Sequence, residues 1–466
     1  MQILLPQRPP MRRTTTLKLF CCLLLSGCAT QLQEAPTQEE VLEDALPETT
    51  EIRAEWAAPA DDVGHVDDGW LTTFEDPQLE ALVAEALNTQ NPNLRLLSAQ
   101  VDRATAAARL AGAALRPTVA LGADLSGTTG PDAVEQESAA GGLGVSWEAD
   151  VWGRVRAGAN AAEESLRATV ADFEFARQSL IANVAKSWYL ATELRLQAEL
   201  AQEVVDLLTE SVALVEKRQQ VGQVAMQDVF LVRADLASAE DALQQAISGQ
   251  QQARRAIEIL LGRYPAGEVE TATELVPVPP PISVGLPSDL LERRPDIVAA
   301  DRRVAAAFFV TEEARLAKLP SFTLNATVGG TTDLSGLIGD LTAGIVAPLY
   351  MGGALEAQLE IATADQEAAI AAFGATVLNA LEEVEGGLTD EALLERREAF
   401  LAAAVDNNKQ AYDLARKQYE VGQIDLLSVL QMQSRWIGAR VGLLRVKNAQ
   451  LAERVDLHLA LGGSFE

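Results

Sequence analysis

The stretch KRQQVGQ, Lys217 to Gln223, is met again as KQYEVGQ, Lys417 to Gln423, at a shift of 200 positions. At that shift Leu214, Val229, Ala239, Leu243, Leu261 and Gly262 recur as Leu414, Val429, Ala439, Leu443, Leu461 and Gly462. Upstream, a shift of 203 lays Pro92, Val101, Ala111, Pro117, Leu121 and Ala123 over Pro295, Val304, Ala314, Pro320, Leu324 and Ala326. Two ungapped registers across most of the chain mean a duplicated structural unit, so a motif in one half is read together with its counterpart.

Each VG pair ends a long helical segment. Arg154 to Gln220 covers 67 residues and Gly353 to Glu420 covers 68; at about 1.5 Å per residue each would reach roughly 100 Å if continuous. A returning helix follows, ending at Leu261-Gly262 or Leu461-Gly462. Apolar positions step in threes and fours (Leu355, Leu359, Ala362, Ala369, Phe373, Val377), the seam of a coiled coil. Gly222 and Gly422 are expected to stop their helices in a left-handed conformation, with Lys217, Arg218 and Lys417 facing the carbonyl ends.

Ahead of the long helices the period changes to two. Val119, Leu121, Ala123 and Leu125 alternate with Thr118, Ala120, Gly122 and Asp124, and Leu143, Val145 and Trp147 alternate with Gly144, Ser146 and Glu148. Phe322, Leu324, Ala326 and Val328 repeat the pattern in the second half, before a weaker strand from Leu341 to Leu349. One apolar and one polar or small face over roughly ten residues is what a tilted transmembrane strand requires; an amphipathic hairpin on a soluble sheet is the other reading.

The N-terminus reads as an export signal. Arg12, Arg13 and Lys18 precede an apolar run that ends in LSGC, Leu25 to Cys28, too short to span a membrane as a mature helix. This tetrapeptide resembles a bacterial lipobox, with Cys28 the lipidated first residue after cleavage, and Met11 is the more natural start. Residues 1–27 hold four basic and no acidic residues, so cleavage takes the formal charge from −30 to −34, which argues strongly against nucleic-acid binding. Cys21 and Cys22 leave with the signal, so no internal disulfide or thiolate metal site is expected. Two histidines, His65 and His458, and no nucleophile paired with a base argue against an enzyme. No metal and no cofactor are expected, apart from the covalent lipid.

The expected division follows. Residues 1–27 are the signal peptide and 28–70 an acidic, Pro- and Thr-rich tether. Residues 71–264 are the first repeat, with strands at about 117–128 and 141–151 and a tip at 218–226. A Pro-rich linker spans 265–290. The second repeat, 291–462, has strands at about 320–330 and 341–350 and a tip at 418–426, and 463–466 form a tail. Four strands leave two open edges, and an open edge cannot sit in lipid. Neighbouring copies must close it, and three chains would supply twelve strands, enough to enclose a water-filled lumen.

GLPSDLLERRPDI (Gly285 to Ile297), WEADVWGRVR (Trp147 to Arg156) and PLYMGGALEA (Pro348 to Ala357) carry a resemblance to the TolC-like outer-membrane efflux factor family, in its lipoprotein or NodT-type branch. Met351 departs from the acidic residue common at that junction. The fold implied is mostly α with membrane β, a TolC-like trimeric α/β-barrel of duplicated halves with four strands and long coiled-coil helices per protomer. The resemblance implies a passive, trimeric exit duct of a tripartite efflux pump, in the outer membrane and reaching into the periplasm. Its partners would be outer-membrane lipid, a periplasmic adaptor and an inner-membrane transporter of the proton-driven RND class. By the same likeness Val221, Gly222, Gln223, Val421, Gly422 and Gln423 are docking candidates for the adaptor. Asp425 stands where a carboxylate ring could narrow the aperture, or is simply a first-turn carboxylate favoured by the helix dipole. Tyr419 either assists closure or packs. Trp147, Trp152 and Tyr350 fall at strand ends, as an interface belt or as junction packing. Type I protein secretion with the same duct, and a coiled-coil structural lipoprotein without a pore, are the alternatives.

Overall fold

The computed structural model describes residues 32–47, 49–59, 64, 66, 68–88, 90–128, 136–331 and 338–465. The expected signal peptide, Cys28 and His65 lie outside them. In chain order the elements are α1 (Gln38–Ala45), a 3-10 turn (Trp70–Phe74), α2 (Pro77–Ala86), α3 (Pro92–Ala113), β1 (Thr118–Thr128), β2 (Gln136–Glu148), α4 (Arg154–Gln220), α5 (Met226–Leu260), α6 (Leu290–Arg293), α7 (Pro295–Leu316), β3 (Ser321–Thr331), β4 (Ile338–Val346), α8 (Ala354–Glu420) and α9 (Leu426–Ala460). Both long helices, α4 and α8, run 67 residues and both returning helices 35. Contacts sort the chain into two bodies.

The first body, built around residues 105–165 and 303–369, holds one antiparallel sheet in the order β1-β2-β3-β4. Its register joins the apolar positions into a single face. Leu121 stands opposite Leu143, which stands opposite Val328; Trp147 pairs Leu324, and Ala326 pairs Leu341. Small and polar residues pair on the other face: Gly144 with Thr327, Ser146 with Asn325, Asn325 with Thr342, Thr327 with Asp340. Directly opposed residues share a side of a sheet, so the period-two reading holds across all four strands. On the polar side Gly142 faces Gly329 so closely that a Cβ on either would stand 2.9 or 2.8 Å from the partner strand's carbonyl oxygen. The apolar side is open: Leu121, Val328, Leu341 and Ile345 are exposed in the single chain.

Two strands sit off their expected positions. β2 ends at Glu148 rather than 151 because Asp150 turns back to cap α4, accepting from the Val155 and Arg156 amides at 3.0 and 2.9 Å. β4 ends at Val346 rather than 350, ahead of Pro348, which has no N–H to give the ladder, and of Gly352 and Gly353 with positive φ. Trp147 and Trp152 act here as locks, donating to the Leu115 and Pro320 carbonyls at 3.1 and 2.8 Å.

The second body, residues 39–104, 166–302 and 370–466, packs Trp70, Phe74, Leu79, Ile181, Trp188, Tyr189, Ile257 and Leu451 into one core. Its repeat symmetry is visible in single bonds. Asn91 and Arg294 occupy equivalent positions before Pro92 and Pro295. The Asn91 amide donates to the Leu260 carbonyl at 2.8 Å, and the Arg294 guanidinium to the equivalent Ala460 carbonyl at 3.0 Å. Each half thus uses the residue before its proline, where a helix must begin afresh, to satisfy an orphan carbonyl at the end of its last helix.

The reading of 28–70 as a plain tether needs correction for this part of the chain. Val41 of α1 is buried, and the Ala45 backbone sits on Gly374, where a Cβ would meet its carbonyl oxygen at 2.6 Å. The Trp56 indole donates to the Gly285 carbonyl at 3.1 Å. Glu385 on α8 accepts from the Ala57 and Ala58 amides, both at 2.7 Å. Few apolar residues suffice when a carboxylate takes two backbone N–H groups, a device that hydropathy patterning does not register.

A buried and a half-buried titrating group oppose each other. Burial, with the Arg454 charge behind it, pushes His458 down to about 3, its ring stacked on Trp70 at 5.5 Å. Burial first, then Asp456, Asp390 and Glu391, raise Glu453 to about 7 against the pull of Lys186. The depressed histidine contributes stability that is full above its unfolded value and is lost as pH falls toward 3. The raised carboxyl contributes stability that is full below about 4.5 and is lost as pH climbs to 7. Glu453→Gln should therefore raise the stability at pH 8 by about 1–2 kcal/mol after solvent screening, and leave it unchanged at pH 4.5. Thermal unfolding of the purified variant at both values checks this.

Candidate gating site

At each tip the backbone closes in the same way. Gly222 has φ 73° and Gly422 φ 77°. The Gln223 amide donates to the Arg218 carbonyl at 2.8 Å and the Gly222 amide to that of Gln219 at 2.9 Å; the second half repeats this with Gln423 to Gln418 and Gly422 to Tyr419. This is the left-handed cap that glycine permits at no steric cost, and it leaves Val221, Gly222, Gln223, Val421, Gly422 and Gln423 all exposed.

Past the caps the halves diverge. Asp425 is the N-cap of α9, accepting from the Ser428 amide at 2.8 Å, whereas its counterpart Ala225 offers no side-chain oxygen and Asp228 reaches back to its amide instead. Hydrogen bonds from the Ser428 side chain and backbone hold Asp425 below the usual carboxylate range, so it stays ionised. In the single chain this carboxylate serves as the helix cap, one residue ahead of the first turn.

Arg218 does not cap its own helix. It donates to the carbonyls of Tyr419 and Glu420 at 3.1 and 3.0 Å and lies over the Tyr419 ring at 4.5 Å, so the first half's cation satisfies the end of the second half's long helix. Tyr419 itself is buried in a cluster with Val215, Val229, Val232, Leu426 and Val429. Further along, Tyr412 stacks on Trp436 at 5.5 Å, Arg440 covers the Trp436 ring at 5.0 Å, and Arg440 bonds Glu203 at 2.7 Å. The two hairpins are therefore joined by a shared apolar cluster and, around it, by a few charge-assisted bonds from Arg218 and Arg440. The sequence did carry one sign of it: the two blocks differ at three positions, Arg218, Gln219 and Gln220 against Gln418, Tyr419 and Glu420, and these hold both partners of the contact. Trp147 and Trp152 lie at the sheet junction described above, and Tyr350 is almost fully exposed. The structure brings Arg218 and Tyr419 together.

Among the described residues no helix is long and apolar enough to cross a membrane, and no group of His, Cys, Asp and Glu side chains could hold a metal ion. The described residues thus combine an amphipathic four-stranded sheet with paired hairpins of long helices. The chain belongs to the outer membrane efflux protein family, whose sequence profile matches residues 82–263 and 286–463, one stretch in each repeat. It is 32% identical to the pyoverdine export outer membrane protein OpmQ of Pseudomonas putida over 86% of this chain and 89% of that one. To the toluene efflux pump outer membrane protein TtgC of the same species it is 30% identical, over 87% of both chains. Among solved structures, the outer-membrane channel OprN aligns with a TM-score of 0.81 at 25% identity, over 90% of this chain and 99% of that one. VceC of Vibrio cholerae aligns at 0.80 and 26%, over 86% and 100%. The fold is TolC-like, and the protein is an outer-membrane exit channel of an efflux system.

Proposed function

We propose that three copies assemble into a passive duct, gated at the helical tips, that receives small-molecule cargo from an adaptor and an inner-membrane RND-type transporter. The observation that carries this reading is the sheet: one continuous apolar face and two edges with no partner among the described residues, which three copies would close as twelve strands. Val221, Gly222, Gln223 and their counterparts 421–423 offer the exposed, rigidly capped surface for the adaptor. Asp425, ionised and repeated three-fold, would ring the aperture. Cys28 would carry the lipid. The chain supplies no chemistry of its own; the pump would select cargo, of which the pyoverdine and toluene exported by relatives are two kinds.

Closure in this reading depends on Arg218. Its loss leaves the Glu420 carbonyl without this donor and weakens the tie between the two hairpins at their tips. Planar-bilayer recording of the purified assembly should show small, mostly closed currents that rise on Arg218→Ala and on Asp425→Ala. Absence of current in both variants, correctly folded, would count against a gated duct. Labelled-lipid incorporation should vanish in Cys28→Ser.

A further inference from the structure

The chain's own hairpins show how one repeat packs on the other. Along the facing helices α4 and α9, Lys186 pairs Asp456 at 2.6 Å, the Asn448 amide donates to Glu193 at 2.8 Å, and Arg440 donates to Glu203 at 2.7 Å. These ties keep one antiparallel register, which puts Leu200 opposite residues 441–443 of α9. Positions 193, 200, 207 and 214 are seven apart and so form one stripe of α4. On it Glu193 and Leu200 are each 4% exposed. The same stripe on α8, 200 positions on, stands open in the single chain: Leu393 is 48% exposed, Phe400 74% and Leu414 57%. The counterpart of α9 is α5, and its face is open too. The α9 residues that make the three ties correspond to Glu240, Ser248 and Ala256, all exposed.

Both halves of a second seam are thus present in one chain, and they do not meet there. We infer that the α8 stripe of one copy packs antiparallel on α5 of the next, in the register of α4 on α9, with Phe400 as its anchor. That register seats Phe400 opposite residues 241–243, where Ala242 is exposed and leaves room for the ring. Charge agrees with the placement. Arg397, exposed on α8 between Leu393 and Phe400, falls about one turn from the exposed Asp241 of α5. The polar ties of the first seam are not repeated, since Lys186, Glu193 and Glu203 correspond to Gly386, Leu393 and Ala403. The seam between copies is therefore anchored by an aromatic side chain where the seam within the chain is anchored by charge. This inference rests on the proposed assembly and names the segments that meet in its helical part.

The test is oxidative cross-linking of the full-length purified protein carrying two introduced cysteines. The replaced residues are all exposed, so no substitution strips the core. Ala242→Cys with Phe400→Cys should run as dimers and trimers on a non-reducing gel, reversed by reductant. Ala242→Cys with Leu414→Cys, two heptads out of register on the same stripe, should run as single chains. The single-cysteine variants set the background, including any pairing through Cys28. Cross-linking of the Leu414 pair in place of the Phe400 pair would overturn the register. No cross-linking by either pair, in a particle whose measured mass is that of three copies, would overturn the seam and leave the duct reading standing. A mass of one chain would overturn both.

Discussion

Replacing Arg294 by methionine is expected to lower stability by about 3 kcal/mol and to leave much of the protein misassembled. The side chain is 3% exposed. Its fork binds both Asp296 oxygens at 3.0 and 2.8 Å, Glu383 of α8 at 2.6 Å and the Ala460 carbonyl. One residue thus joins the start of α7, the middle of α8 and the end of α9. Methionine would fill the space and strand two carboxylates and a carbonyl. Glu383 is half-exposed and can recover solvent, which keeps the loss at the low end of the usual range. Lysine should not rescue, since a point charge cannot make the two-armed contact. The first half suggests a control. Its equivalents of Arg294, Asp296 and Glu383 are Asn91, Asn93 and Asn183, a neutral set. Converting all three second-half residues to Asn should cost less than Arg294→Met alone, because no charge is then left unpaired. Thermal unfolding followed by helical circular dichroism ranks the variants, and a triple substitution worse than the single would contradict the account.

Trp188→Ala is the second large effect. The side chain is 1% exposed at the centre of the second body's core, and its indole donates to Asp76 Oδ2 at 2.8 Å. The other Asp76 oxygen accepts from the Gln78 and Leu79 amides, capping α2. Truncation would leave a large cavity and a buried carboxylate oxygen without its donor. The expected loss is about 3–5 kcal/mol. Trp188→Phe keeps most of the volume and isolates the hydrogen bond, at about 1–3 kcal/mol. Equal destabilisation by Phe and Ala would place the whole effect in the Asp76 contact.

Much of the architecture was readable from local rules. The VGQ pairs, the proline breaks and the change from period three-and-a-half to period two placed the long helices, the returning helices and all four strands. The boundaries that moved did so for local reasons, a carboxylate turned back onto the backbone at Asp150 and a proline followed by positive-φ glycines after Val346. The long-range ties were not readable: Arg218 on the Tyr419 carbonyl, Arg294 on Glu383, Glu385 on the amides of Ala57 and Ala58. Each joins residues of low periodic signal across large sequence separations. Trp188 is hidden for a related reason, since its repeat equivalent is Leu388 and the duplication gives no hint of the aromatic core on one side only. Equivalent positions that differ in charge, Arg218 against Gln418 and Asp425 against Ala225, mark where a duplicated scaffold has been given unequal tasks.

Electron cryomicroscopy of the detergent-purified protein tests the central claim most directly, because it counts the copies around the sheet. Three chains should appear, with β4 of each lying antiparallel to β1 of the next and the Ser146–Asn325–Thr342 face lining an aqueous bore. A lone chain with β1 and β4 left unpaired or capped by its own residues would contradict it.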